Sequence, residues 1–234
     1  MTEPSAEEAL PDLAWPELPE PRPELRGEIR RACASELSPR RGPSVGARVA
    51  LTLALAAGVV VVLALIALGK ERPSSAGHTA FFGAAGWGVV QTAVVGLALA
   101  RPGRRAAGGL WLAVALGVPL AFIGYLTLAA SSRLPLGEFF RGDHAGGALG
   151  CGLHALLFGA IAAAGTLFIW RRTDPFSPAL SGSLVGLVGG LTGATAIGIA
   201  CPAGETWHLW IGHGATVAVL ALAGWLLGRR VLAP

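Results

Sequence analysis

The stretch VALTLALAAGVVVVLALIAL, residues 49–68, runs without a charged side chain. A helix needs about 20 predominantly apolar residues to cross the hydrocarbon core of a bilayer, so this stretch predicts a membrane span. Apolar segments of similar length follow near 80–100, 107–130, 146–169, 178–200 and 209–228. The sequence therefore predicts an all-α integral membrane protein with six transmembrane helices over residues 49–230.

Composition supports the same class of protein. The chain is 53% hydrophobic and 14% charged, with a mean hydropathy of +0.60, whereas a soluble domain carries about 25% charged residues. The net charge of +4 raises the question of nucleic-acid binding. We discount a nucleic-acid partner because the arginines cluster at the ends of the predicted helices, where membrane topology places them.

Residues 1–48 differ from the rest of the chain, since they hold eight of the 16 prolines and most of the acidic residues. Residues 1–22 are predicted to be disordered. Residues 23–37, PELRGEIRRACASEL, predict one short helix, because Pro23 suits the first helical position and acids precede arginines. Its apolar face carries Leu25, Ile29, either Ala32 or Cys33, and Leu37.

The distribution of basic residues predicts the orientation. With the N-terminus in the cytoplasm, fourteen of the 18 Lys and Arg residues lie on the cytoplasmic side of six spans. The positive-inside rule therefore predicts that both termini are cytoplasmic and that residues 1–48 form a cytoplasmic tail. The arginine pairs at 104–105, 171–172 and 229–230 are explained as inside anchors of the helices.

Two cysteines are predicted to lie at the same, outer face of the membrane. Cys151 opens the fourth predicted span and Cys201 closes the fifth. Such a pair can bridge, bind a soft metal ion or be oxidised, and the outer face of a bacterial membrane is oxidising. The alternative is that both are small packing residues in helix interfaces. Cys33 lies in the tail and is interpreted as a helix-face residue.

The histidines offer auxiliary ligands beside this pair. Cysteine with imidazole suits zinc, copper or cadmium, and the candidates are His154, His208 and His213. The alternative for His208 is an interfacial belt with Trp207 and Trp210. His78 and His144 are interpreted as solvated loop residues.

The absence of other motifs narrows the function. No Asp, Glu, Lys or Arg falls well inside a predicted span, whereas ion-coupled transporters place such groups at the midplane. The sequence shows no phosphate loop, HExxH, nucleophile elbow or CxxC, so we expect neither an enzyme nor a resident cofactor, apart from transient binding of a heavy-metal ion. A small transporter and a membrane scaffold stay open as alternatives.

A sequence of features between residues 150 and 230 resembles a known family. Cys151 starts a helix that ends in WRR (170–172), a glycine-rich helix led by Pro178 ends in Cys201-Pro202, and a last helix closes in GRR (228–230). With six spans and a cytoplasmic tail, the chain resembles the NrsF-like negative regulators of extracytoplasmic-function sigma factors. These are anti-sigma factors of the bacterial inner membrane. The resemblance covers about 45–230 and is most specific over 150–230.

The resemblance implies a role for each half of the chain. Cys151 and Cys201 would correspond to a cysteine pair associated with sensing heavy metals or oxidative stress. The tail would hold an extracytoplasmic-function sigma factor, chiefly through the helix near 23–37. From the residues themselves, we expect the apolar face of this helix to bind in a groove of the partner through Leu25, Ile29 and Leu37. Trp15, a lone Trp in the stretch predicted to be disordered, is expected to add an anchor. The expected partners are this sigma factor and the lipid bilayer.

Overall fold

The computed structural model describes residues 23–36, 43–67, 75–100, 108–130, 132–173, 177–201 and 203–233. The chain divides into two compact units, Met1–Gly42 and Pro43–Pro234. Trp15, Leu37 and the predicted disordered stretch lie outside the described residues.

The first unit contains one described helix, α1 (Pro23–Glu36), where the sequence predicts a helix over 23–37. Pro23 opens the helix, since its missing N–H would have no helical partner there, and Glu24 lies in the first turn. Leu25 and Ile29 are 48% and 51% exposed, and Cys33 is exposed as well. The described part of α1 therefore has apolar side chains that are about half exposed.

The second unit is helical throughout its described residues, apart from turns and one isolated bridge between Ser132 and Glu205. Its helices are α2 (Val45–Ala67), α3 (Ser75–Leu99), α4 (Gly108–Ala129), α5 (Leu136–Arg141), α6 (His144–Ile169), α7 (Pro178–Ala200), α8 (Thr206–His208) and α9 (Ala215–Val231). A π-helical segment, Leu209–Gly214, joins α8 to α9 without a break. The all-α prediction is confirmed for the described residues.

Among the described residues, four helical stretches are long and apolar enough to cross a membrane: Val45–Leu63, His144–Ile169, Pro178–Ala200 and Thr206–Val231. The apolar stretches in α3 and α4 are shorter, at Gly86–Leu99 and Leu112–Leu128. Membrane association is thus supported by these four helices.

Helix α7 is the central element of the bundle, because 83% of its most apolar 18-residue window is buried. Glycines let its neighbours come close: Gly182 lies against Gly224 of α9, and Gly193 lies against Ala155 of α6. Small residues at these contacts allow backbones to approach and gain dispersion energy. The glycine-rich helix is therefore buried among its neighbours.

Several helix bounds differ from the sequence prediction. Helix α2 begins at Val45 rather than 49, because the Ser44 hydroxyl accepts a hydrogen bond from the Ala47 amide at 3.2 Å and caps the helix. Helix α6 begins at His144, so Cys151 lies about two turns inside it and does not open it. The short helix α5 is not anticipated by the sequence analysis, and its Phe139 is fully buried.

Candidate functional site

Helices α6 and α7 bring the two predicted cysteines together near one end of the second unit. Cys151 lies on α6, and Cys201 is the C-cap of α7. Their Sγ atoms are 3.5 Å apart, and both thiols are free. Consecutive antiparallel helices therefore place side by side two residues that are fifty positions apart in the chain.

The chain after α7 is held in place near this pair. The Cys201 backbone is extended (φ −79, ψ 127), as expected for a residue that precedes a proline. The Ser132 amide donates to the Gly204 carbonyl at 3.3 Å, and the Thr206 amide donates to the Ser132 carbonyl at 3.2 Å. These bonds fix the segment that leads from Cys201 into the last helix.

The π-helical segment turns two histidines toward the same side. His208 directly precedes the segment and His213 lies within it. Residues five apart point about 140° away from each other in an α-helix with 3.6 residues per turn, whereas i→i+5 bonding widens the turn and brings their directions closer together. The two imidazole rings accordingly lie 5.8 Å apart.

The four side chains form one compact cluster, which we call the Cys2His2 cluster: Cys151, Cys201, His208 and His213. One potential ligand atom from each residue lies within 4.8 Å of the others. His208 Nε2 is 3.2 Å from Cys201 Sγ. Cys201, His208 and His213 are 5%, 5% and 1% exposed, while Cys151 is half-buried and gives the cluster its accessible edge.

His213 has one ring nitrogen engaged and one without a partner. Its Nδ1 lies 3.3 Å from the Ala194 carbonyl of α7. Because a carbonyl only accepts, a hydrogen bond here requires the proton on Nδ1. Nε2 of the neutral ring then carries a lone pair, is buried and has no hydrogen-bond partner among the described residues.

Close backbone approach makes room for the cluster between α6 and the π-helical segment. A Cβ atom at Gly212 would lie 2.9 Å from the Ala148 carbonyl oxygen and 3.5 Å from Cys151 Cβ. Such a short contact would push the two elements apart. Glycine at position 212 therefore lets the histidine-bearing segment approach the helix that carries Cys151.

The model of one known protein family matches most of the chain. The model described as "NrsF: Negative regulator of sigma F" matches residues 33–233. The chain belongs to the NrsF family. No curated protein and no solved structure matches it in the corresponding searches.

Membership in the NrsF family confirms the resemblance, and it makes negative regulation of a sigma factor the general function. The family is regulatory rather than enzymatic by description. The matched range begins inside α1, at residue 33, so the part of α1 that carries Leu25 and Ile29 precedes it.

The structure separates the predicted auxiliary ligands of this NrsF chain. His208 and His213 join the cysteines, but His154 is exposed and its Nδ1 lies 2.7 Å from the Gly150 carbonyl of its own helix. Three residues of α-helix turn His154 about 60° away from Cys151, enough to miss the cluster. His144 is the first residue of α6 and pairs with Glu205 at 2.8 Å, instead of lying in a loop.

The NrsF sequence offers one signal for His208 and His213: both flank the start of the last helix, on the side predicted for the cysteines. Their common orientation depends on the π-helical segment, which apolar periodicity does not reveal. Chemically, two thiols and two imidazoles can coordinate a borderline or soft cation, and the two thiols can also be oxidised to a disulfide.

Proposed function

We propose that the protein is a membrane-bound anti-sigma factor of the bacterial inner membrane. It holds an extracytoplasmic-function sigma factor through its cytoplasmic tail, residues 1–48. It releases the sigma factor when Cys151 and Cys201, at the outer face, respond to a metal ion or an oxidant. The family match over residues 33–233 carries this proposal.

The proposed membrane topology has six spans and both termini in the cytoplasm. Four helices meet the length and hydropathy expected of a span, and α3 and α4 supply the remaining two. The orientation follows from the excess of arginine on one side of these helices. The Cys2His2 cluster then lies toward the outside, where oxidants and metal ions arrive first.

The tail binds the sigma factor through α1 in this proposal. Leu25 and Ile29 are each about half exposed and one helical turn apart, as in an amphipathic helix that lies in a partner's groove. Leu37 and Trp15 extend the proposed contact beyond the described residues. Acidic residues of the tail meet basic groups on the sigma factor and favour association.

A hydrogen bond at the opposite end of α6 offers a route from the cluster to the tail. Trp170, directly after α6, donates from Nε1 to the Thr52 hydroxyl of α2 at 2.9 Å, and both residues are buried. Helix α2 follows the tail in the chain. A shift of α6 at its cysteine-bearing end would thus be transmitted to the helix that continues from the sigma-binding segment.

The first experiment is a capture of sigma factors from native-host lysate with the full-length protein in detergent and, in parallel, with residues 1–48. Enrichment of one extracytoplasmic-function sigma factor by both baits is the expected result. Capture by the full-length protein but not by residues 1–48 would indicate that the binding site lies outside the tail. Failure of both baits would overturn the anti-sigma function.

A transporter or a scaffold would give different results. A cavity of about 420 Å³ between α2, α3 and α7 is lined by aliphatic and threonine side chains without a charged group, which does not favour ion-coupled transport. A scaffold would leave the tail binding another cytoplasmic protein, which the same capture experiment would identify.

A further inference from the structure

We propose that Cys151, Cys201, His208 and His213 form a four-ligand site for a divalent cation of the zinc class, in which both histidines are direct ligands. The inference deepens the sensing step and rests on the proposed function only for its regulatory consequence. The binding site itself stands on the geometry of the cluster.

Two of the donor-atom distances are close to those of a tetrahedral centre, and every pair of donor atoms lies within 4.8 Å. Zinc–sulfur and zinc–nitrogen bonds of about 2.3 and 2.0 Å place two sulfurs about 3.8 Å apart and a sulfur and a nitrogen about 3.5 Å apart. The Cys151–Cys201 and Cys201–His208 distances are 3.5 and 3.2 Å. Side-chain rotations that open these two contacts by a few tenths of an ångström make room for the ion.

His213 is prepared for coordination before the ion arrives. The contact between Nδ1 and the Ala194 carbonyl selects the tautomer with a free Nε2 lone pair. Metal-bound histidines ordinarily donate their second ring N–H to such a carbonyl, which fixes the ring orientation. A buried nitrogen without a partner costs free energy, and coordination removes that cost.

The charge of the donor set selects a divalent cation. Two thiolates and two neutral imidazoles carry a charge of −2, so a divalent ion gives a neutral centre. Burial of a neutral centre avoids the large cost of an unpaired charge in a region of low dielectric constant. Imidazole and thiolate also favour zinc-like ions over calcium or magnesium, which prefer oxygen ligands.

Occupancy ties three elements of the bundle together. The ion would link α6 through Cys151, the end of α7 through Cys201, and the start of the last helix through His208 and His213. The two sulfurs are then held by the ion and cannot close to the disulfide bond length of about 2.05 Å. Cation binding and disulfide formation are therefore mutually exclusive states of the same site.

Cobalt(II) tests the site directly. The full-length protein in detergent, reduced and metal-free, is titrated with Co²⁺ and followed by visible absorption. Intense d–d bands and thiolate charge-transfer bands are expected at one ion per chain, with loss of both on addition of Zn²⁺. Weak bands of octahedral cobalt, or no saturable binding, would overturn the proposal.

Substitutions assign the ligands. His213→Ala and His208→Ala should each weaken Co²⁺ binding by about 100-fold or more, beyond the cost of losing an outer-shell partner. His154→Ala is the matched control and should bind as the unsubstituted protein does. His213→Cys should restore binding and increase the thiolate charge-transfer intensity by about half, because it adds a third sulfur.

If His213→Ala fails to fold, His213→Cys still tests whether the side chain at position 213 is a ligand. Wild-type affinity in both His213→Ala and His208→Ala would show that the histidines are not ligands. Sigma-factor capture does not enter these measurements. A protein that binds cobalt tetrahedrally but captures no sigma factor would leave the site standing and overturn only the proposed function.

Discussion

Single residues of the Cys2His2 cluster have different roles although they share one site. Cys201 and the two histidines are buried, whereas Cys151 is partly exposed. An incoming ion or oxidant therefore reaches Cys151 first. Cys201 and the two histidines, which are buried, define the geometry that the incoming ion or oxidant must satisfy.

The cysteine pair is expected to be necessary for the response and dispensable for sigma binding. In a Cys151→Ser/Cys201→Ser double variant, the hydroxyls keep nearly the same volume but lose thiolate chemistry. We expect unchanged capture of the sigma factor and no induction of its target genes by metal ions or oxidants. Cys33→Ser is the control and should respond normally; a normal response of the double variant would refute the sensing role.

At the scale of the elements, α1 and α7 show how differently apolar residues are used. Leu25 and Ile29 of α1 are half exposed, which suits a segment that binds another protein. Helix α7 is buried by neighbours that its glycines allow to come close. Exposure thus separates α1, the proposed recognition helix, from α7, which packs inside the bundle.

Helix α1 should lose its partner when its apolar face becomes acidic. Leu25→Asp/Ile29→Asp removes two anchors worth about 2 kcal/mol each at an interface, so sigma affinity should fall by about 700-fold. Arg31→Asp makes the same change in net charge as the double variant and leaves the apolar face intact. Binding constants of full-length variants measure the effect; equal losses from both variants would point to charge rather than apolar contact.

Helix α7 should not tolerate a large side chain at its closest contacts. A Cβ at Gly190 would lie 2.6 Å from the Cα of Val217, so Gly190→Leu forces α7 and α9 apart at a cost of about 1–3 kcal/mol or more. Gly117→Leu is the matched control, since nothing lies within 4 Å of a Cβ there. Thermal denaturation in detergent should show a lower midpoint for Gly190→Leu alone.

At the scale of the whole molecule, the proposed membrane topology determines the path by which a signal at the Cys2His2 cluster has to reach the tail. The Cys2His2 cluster and the Trp170–Thr52 hydrogen bond lie toward opposite ends of α6. If the cluster is outside, that bond lies near the cytoplasmic face. A signal then has to cross the membrane along helices rather than by diffusion of a ligand.

Thiol labelling tests the topology. Cys33 is the sole thiol of the Cys151→Ser/Cys201→Ser variant, and a membrane-impermeant maleimide should label it only after the cells are permeabilised. A Gly142→Cys substitution in a chain without other cysteines should be labelled in intact cells. The reverse pattern would invert the proposed orientation.

The Trp170–Thr52 hydrogen bond, at the C-terminal end of α6, should matter for signalling more than for stability. Trp170→Phe keeps an aromatic ring but removes the donor to Thr52, at a cost of about 1 kcal/mol. We expect cobalt and sigma affinities to stay within about threefold of the unsubstituted protein, while metal-induced release falls. Full release by this variant would exclude the bond as part of the route.

The sequence determined the class of the protein, because long apolar stretches and arginine-flanked ends reflect properties of each segment alone. It also indicated the cysteine pair, since consecutive helices return to the same face. The tertiary structure decided which histidines join that pair. His208 and His213 come together only because His213 lies in a π-helical segment. His154 does not join them, because the helical turn of α6 points its side chain away from the cluster. Side-chain direction depends on backbone hydrogen bonding and on contacts between distant helices, which hydrophobic patterning does not encode.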